Sequence, residues 1–121
     1  MTPSEKLRLA MKADIFKAMG QTTRLGIIQL LQEREMQVSE MALRLGVNTP
    51  SVSKHLSFLR TCGIVRSRKA GFKIYYALTM PQLERLMTCV EENRMRQIKK
   101  LRTAGSATVR NCVASERETE C

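Results

Sequence analysis

Between Thr49 and Ser57 the chain reads T-P-S-V-S-K-H-L-S. Ser51, Ser53, Lys54 and His55, flanked by Thr49 and Ser57, gather hydroxyls, an amine and the only imidazole of the chain. A short distance on, Arg66, Arg68, Lys69 and Lys73 form a second, purely basic group. Hydroxyls, imidazole and cationic heads at such density suit base edges and phosphate oxygens. They do not suit catalysis. One histidine, no clustered carboxylates, no Gly-rich phosphate loop and no nucleophile elbow leave no acid–base or nucleophilic constellation, so an enzyme is not expected. The remaining reactive groups are four cysteines, Cys62, Cys89, Cys112 and Cys121.

The elements that must hold these groups are legible in the same stretch. Ser39 can cap a helix carrying Met41, Ala42 and Leu45, which Gly46 would end. Thr49-Pro50 offers a cap followed by proline at the first helical position. Val52, Leu56 and Leu59 follow at i, i+4, i+7 as one apolar stripe, and Gly63 stops the helix. Its other face holds Ser51, Ser53, Lys54, His55 and Ser57, which is what a recognition helix presents to a major groove. Ile64-Val65 then starts a strand, Ala70-Gly71 makes a turn, and Ile74, Tyr76 and Leu78 alternate on the return strand. The expected fold is mainly α with a β-hairpin wing, a winged helix-turn-helix. The wing would reach phosphates or a minor groove.

Around this centre, Ser4 to Met19 reads as a helix with Leu7, Met11, Ile15 and Met19 in register. Thr22 or Thr23 caps a second helix through about Arg34, apolar on most sides and expected at the centre of the domain. Gly26 inside that helix predicts a close approach of another helix. Glu33-Arg34-Glu35 marks an exposed turn. Thr79 and Pro81 open a long last helix to about Arg102, with Leu83, Leu86, Met87, Val90, Ile98 and Leu101 near heptad spacing. Residues 103–121 lose all periodicity and are expected to be a flexible, cysteine-containing tail behind a DNA-binding and dimerisation domain over 1–102.

The chain has 121 residues and a net charge of +10, and the placement of that charge is informative. Met41 to Leu83 holds seven Lys or Arg and no Asp or Glu, and Arg94 to Arg102 holds five more bases and no acid. A solubilising surface normally mixes signs, so this is the footprint of a phosphate-backbone partner. A basic nucleoid-type structural protein would share that footprint but would not prefer one sequence. A helical domain this small buries limited core, and a dimer sharing helices would help it. No apolar run reaches the length of a membrane span and the amino terminus lacks a signal peptide's apolar region. The expectation is a cytoplasmic protein with no membrane partner, its cysteines mostly reduced.

Three runs taken together, F-K-A-M-G-Q-T-T-R-L from Phe16, L-G-V-N-T-P-S-V-S-K-H-L from Leu45 and G-I-V-R-S-R-K-A-G-F-K-I-Y-Y-A-L from Gly63, resemble the ArsR/SmtB family of small dimeric repressors. The resemblance covers roughly Met11 to Asn93. Gln21-Thr22 stands where the family usually has Asp-Pro, a departure at a helix cap. The resemblance implies a homodimer paired through its first and last helices. It also implies double-stranded operator DNA, an inverted repeat whose half-sites lie about one helical turn, or a multiple of it, apart.

It implies an effector site as well. The Cys-x-Cys pair common in the family would fall on Gln37 and Ser39, so that site is absent. The ligands that another branch places on its paired last helices would fall on Met80, Gln82, Asn93 and Arg96, so that site is absent too. A cadmium- and lead-sensing branch uses two cysteines four apart at the end of the recognition helix and a third from the partner's tail. Here Phe58 replaces the first, Cys62 matches the second and Cys112 resembles the tail cysteine, with Cys121 able to restore a third sulfur. Three thiolates suit arsenic(III), antimony(III), cadmium or lead as an effector rather than a cofactor needed for folding. Two alternatives remain open on the same residues. Cys62 with Cys112, or the two tail thiols, can form a disulfide or persulfide switch, and the regulator can be independent of its cysteines, with Cys89 a structural residue.

Overall fold

The computed structural model describes residues 1–104. It divides into two units, the first Met1–Pro81 and the second beginning at Gln82.

The first unit opens with α1, Pro3–Met19. Thr2 and Glu5 form a reciprocal capping box, Oγ1 accepting from the Glu5 N–H at 3.2 Å and Oε2 accepting from the Thr2 N–H at 2.7 Å. Next comes α2, Thr22–Glu33. Its cap is not Thr22 or Thr23 but Gln21, whose extended backbone lets the side-chain Oε1 turn back to accept from the Arg24 N–H at 2.8 Å. Both threonines thereby enter the first turn.

The helix-turn-helix follows as α3, Val38–Leu45, and α4, Thr49–Thr61. The first begins two residues earlier than expected and the second one residue earlier. Gln37 precedes α3 without a side-chain cap, which places Ser39 inside the helix. Asn48 caps α4, Oδ1 accepting from the Ser51 N–H at 2.9 Å, so Thr49 and Pro50 occupy the first turn. Asparagine is among the strongest N-caps, and it displaces Thr49 from the role. Gly46, at φ 66°, closes α3 in the left-handed conformation that a side chain would resist.

The wing is an antiparallel pair, β1 Val65–Ala70 and β2 Lys73–Leu78, in register from Val65 opposite Leu78 to Ala70 opposite Lys73. Because Ala70 pairs with Lys73, the turn is Gly71-Phe72 rather than Ala70-Gly71. Two further ties secure it. Met36 and Tyr76 exchange backbone hydrogen bonds of 3.2 and 2.9 Å, joining the segment between α2 and α3 to β2. Thr79 donates from its backbone N–H and from Oγ1 to the Ile64 carbonyl, both at 2.9 Å. Thr79 thus closes the base of the wing and does not open the last helix.

Ile27 and Ile28 of α2, Met41 of α3, and Val52, Leu56 and Leu59 of α4 are fully buried with Met36 and Ile64, so α2 is the centre the sequence predicts. Among the described residues no polar or charged side chain is buried. A Cβ on Gly26 would lie 2.7 Å from Leu45 Cδ2, the close approach of α3 that this glycine permits. Across the surface, Arg34 pairs with Glu40, and Arg44 Nη1 lies 2.5 Å from Glu33 Oε2, bracing α2 to α3.

The second unit contains α5, Leu83–Ala104, two residues beyond the proline expected to open it. Val90 and Met95 are exposed on it. No helix among the described residues is long and apolar enough to cross a membrane.

Candidate nucleic-acid interface

Burial of Val52, Leu56 and Leu59 fixes the rotation of α4. At about 100° per residue, Pro50, Lys54, Ser57 and Thr61 then fall opposite the core, with Thr49, Ser53 and Arg60 on one flank. All of these are exposed. The other flank carries Ser51, His55, Phe58 and Cys62 at i, i+4, i+7, i+11. Ser51, His55 and Cys62 are half-buried there, and Phe58 is 41% exposed. Sequence pattern grouped Ser51 and His55 with the outward residues, whereas the fold places them at the edge of the face.

That edge is shaped by Arg24. Its guanidinium carbon sits 4.6 Å from the centroid of the Phe58 ring, and its Nε donates to the Ala18 carbonyl at 2.5 Å, at the end of α1. Burial, followed by the positive charges of Arg24 and Lys54, holds the His55 imidazole below its ordinary value of 6.5. At neutral pH it is therefore an uncharged ring able both to donate and to accept at a base edge. Beyond Phe58, a groove between α1 and α4 is lined by Met11, Ile15, Lys12 and Lys17 on one side and by Phe58 and Cys62 on the other.

The wing splits the four predicted bases. Residues opposite one another in the register share a face, and faces alternate along each strand. Arg66, Arg68 and Lys73 therefore share one face with Tyr75 and Ala77, while Lys69 lies on the other with Ile74 and Tyr76. Arg68 is also engaged: Nε donates to Glu35 Oε2 at 2.7 Å, and the guanidinium stacks 4.9 Å over the Tyr75 ring. Arg66, Lys69 and Lys73 are exposed with no ion-pair partner among the described residues.

Arg60 was not singled out from sequence. It donates from Nη1 to Ser67 Oγ at 3.2 Å, so the end of α4 holds the start of the wing, and its charge joins the basic surface. Its signal was present as the seventh residue after Ser53, two turns along the same flank. Arg24 had no such signal, because its role arises from α2 passing beside α4.

Of the predicted thiol ligands, Cys62 is part-exposed at the C-terminal cap of α4. Cys112 and Cys121 lie outside the described residues. Cys89 is exposed on α5 rather than a buried structural residue. Among the described residues no group of His, Cys, Asp or Glu is placed to hold a metal ion.

Residues 21–67, spanning α2 to the first strand of the wing, match the model of the bacterial regulatory protein arsR family. The chain is 34% identical over 80 residues to the HTH-type transcriptional regulator KmtR of Mycobacterium tuberculosis, a match covering 66% of this chain and 62% of that protein. It is 37% identical over 81 residues to an HTH-type transcriptional regulator of Methanocaldococcus jannaschii, covering 66% of this chain and 91% of the relative. The arsenical resistance operon repressor of Escherichia coli is 38% identical over 66 residues, 54% of this chain and 56% of the repressor. Among solved structures, the homodimeric winged helix-turn-helix DNA-binding domain of a Mycobacterium bovis protein described as a possible ArsR-family transcriptional regulator superposes with a TM-score of 0.72 at 26% identity, covering 80% of this chain and 93% of that one. An acid-free reading helix, a basic wing and these likenesses converge: the chain belongs to the arsR family of bacterial regulatory proteins and is a DNA-binding transcriptional regulator with a winged helix-turn-helix fold.

Proposed function

We propose that the protein is a homodimeric repressor that binds an inverted-repeat operator and leaves it when a soft metal or metalloid ion binds cysteine thiolates. The observation that carries this reading is the stripe Ser51–His55–Phe58–Cys62 on α4. It puts a part-exposed thiol two turns of helix from His55, on the same flank. In this reading Ser51, Ser53, Lys54 and His55 meet base edges or phosphates with Thr49 and Ser57 beside them. Arg66, Arg68, Lys69 and Lys73 hold the backbone. Cys62, Cys112 and Cys121 form the thiolate set, and arsenic(III), antimony(III), cadmium or lead is the ion. The arsenical repressor among the relatives supports that chemistry. Pairing through α1 and α5 is supported by Leu7, Met11 and Phe16 on α1, each more than half exposed in the single chain.

The coupling is thermodynamic. An ion that favours a dimer whose two α4 helices no longer match successive grooves weakens DNA binding, and DNA must weaken ion binding by the same factor. Operator binding followed by fluorescence anisotropy under reducing conditions tests it, with arsenite, antimonite, cadmium, lead and zinc titrated in. A soft ion that releases DNA from the wild type but not from Cys62→Ser or Cys112→Ser supports the site. Release only by a disulfide-forming oxidant supports instead a thiol redox switch, which the exposure of Cys62 also permits. Release by neither leaves a regulator independent of its cysteines.

A further inference from the structure

The wing ends in an aromatic ring that the fold does not use. Gly71 takes φ 65°, and the two-residue loop it permits puts Phe72 at the apex of the hairpin. Phe72 is fully exposed, at 109%, so its side chain packs against nothing among the described residues. A single exposed apolar residue is ordinary on a surface. The surroundings of this one are not ordinary. Lys69 and Lys73 stand on either side of it, Ala70 leaves the apex slim, and Ile74, at 41% exposure, continues the apolar edge behind it. No acid occurs between Met41 and Leu83. Leu43, a highly exposed apolar residue of α3, lies instead beside Arg44, whose charge is already paired with Glu33.

An apolar plate flanked by unpaired cations fits a polyanion with apolar slots between flat rings, which is the chemistry of stacked base pairs. We propose that Phe72 is a wedge that enters the DNA minor groove beside the site read by α4 and partly unstacks one base step, while Lys69 and Lys73 neutralise the phosphates around it. The inference rests on the reading that the wing faces DNA. Unstacking is easiest at TA and CA/TG steps, so Phe72 confers a sequence preference at a position that α4 does not reach. Phe72 neutralises no phosphate, so it leaves the salt dependence of binding alone.

The test uses the full chain and duplexes that wild type selects from a randomised pool. The variants are Phe72→Ala, Phe72→Trp and Lys69→Ala. Wild type is expected to enrich a pyrimidine–purine step at a fixed distance outside the central motif and to brighten 2-aminopurine placed there. Phe72→Ala should keep the central motif, the salt slope and the urea midpoint. It should lose the flanking preference and the brightening, and bind the selected duplex about five- to tenfold more weakly. Phe72→Trp should restore both. Lys69→Ala should instead lower the salt slope by about one. If Phe72→Ala matches wild type in flanking preference and brightening, the wedge is overturned although the wing still binds DNA. If Lys69→Ala leaves the slope unchanged, or wild type selects nothing, the DNA-facing wing fails and the wedge with it.

Discussion

Arg24 lies over the Phe58 ring at 4.6 Å while its Nε donates to the Ala18 carbonyl at 2.5 Å, so one side chain of α2 joins the end of α1 to the flank of α4. Both contacts exploit the planar guanidinium, which a lysine lacks. Arg24→Lys and Arg24→Ala should each lower stability by about 1–2 kcal/mol, from the charged hydrogen bond and the cation–π contact together. Urea denaturation checks it. Equal midpoints for wild type and Arg24→Lys would mean the stacking contributes nothing.

The His55 imidazole is held below its ordinary pKa of 6.5, first by burial and then by Arg24 and Lys54. A depressed pKa in the folded state means that its contribution to stability is complete above 6.5 and is lost as pH falls through the lower folded value. Stability should therefore decline on acidification from pH 7 more steeply in wild type than in His55→Gln. Because the ring is neutral at pH 7.5, His55→Gln should leave the salt slope of DNA binding unchanged there, whereas Lys54→Ala should reduce it by about one. An equal reduction by both would show a charged imidazole at a phosphate.

Arg68 is occupied by Glu35 and Tyr75. Glu35→Gln removes a negative charge beside the wing and releases a guanidinium on the face shared with Arg66 and Lys73. DNA binding at low salt should tighten, with a salt slope steeper by up to about one. The loss in folding stability should stay within about 1 kcal/mol, since the pair is partly exposed. Weaker binding would mean that Glu35 positions Arg68 for its contact.

Gly26 faces Leu45, whose Cδ2 would lie 2.7 Å from an added Cβ. Alanine improves helix propensity by about 1 kcal/mol but must displace the tip of a half-buried, flexible leucine. Gly26→Ala should consequently fall within about 1 kcal/mol of wild type, while Gly26→Val, bulkier and stiffer, should lose about 1–3 kcal/mol. Thermal unfolding of the two variants distinguishes helix propensity from packing.

The surface ion pairs between α2 and α3 set a second, more acidic pH window. Hydrogen bonds from Arg44 and from Arg34 hold the Glu33 and Glu40 carboxyls below their ordinary 4.5. Their contribution is present above 4.5 and is lost as pH falls through the depressed values. Glu33→Gln and Glu40→Gln should flatten the acid limb of the stability curve below that pH and leave the limb due to His55 unchanged.

Local pattern in the sequence was sufficient for the order of elements, the buried stripe of α4, the hairpin and the acid-free basic stretch. Each depends on residues a few positions apart, and period and turn chemistry act over that distance. Gly26 was legible for the same reason, as a glycine where a helix has no local use for one. Helix starts were less so, because Gln21 and Asn48 compete with adjacent threonines and only backbone direction selects the cap. Tertiary structure alone decided what each exposed charge is free to do. The bond of Arg68 to Glu35 spans 33 positions, and the pairing of Met36 with Tyr76 joins a loop to a distant strand. Hairpin register put Lys69 on the opposite face from Arg66, Arg68 and Lys73, a division that a list of four nearby bases cannot contain. Such contacts form only when chain folding brings remote segments together, so no local spacing encodes them.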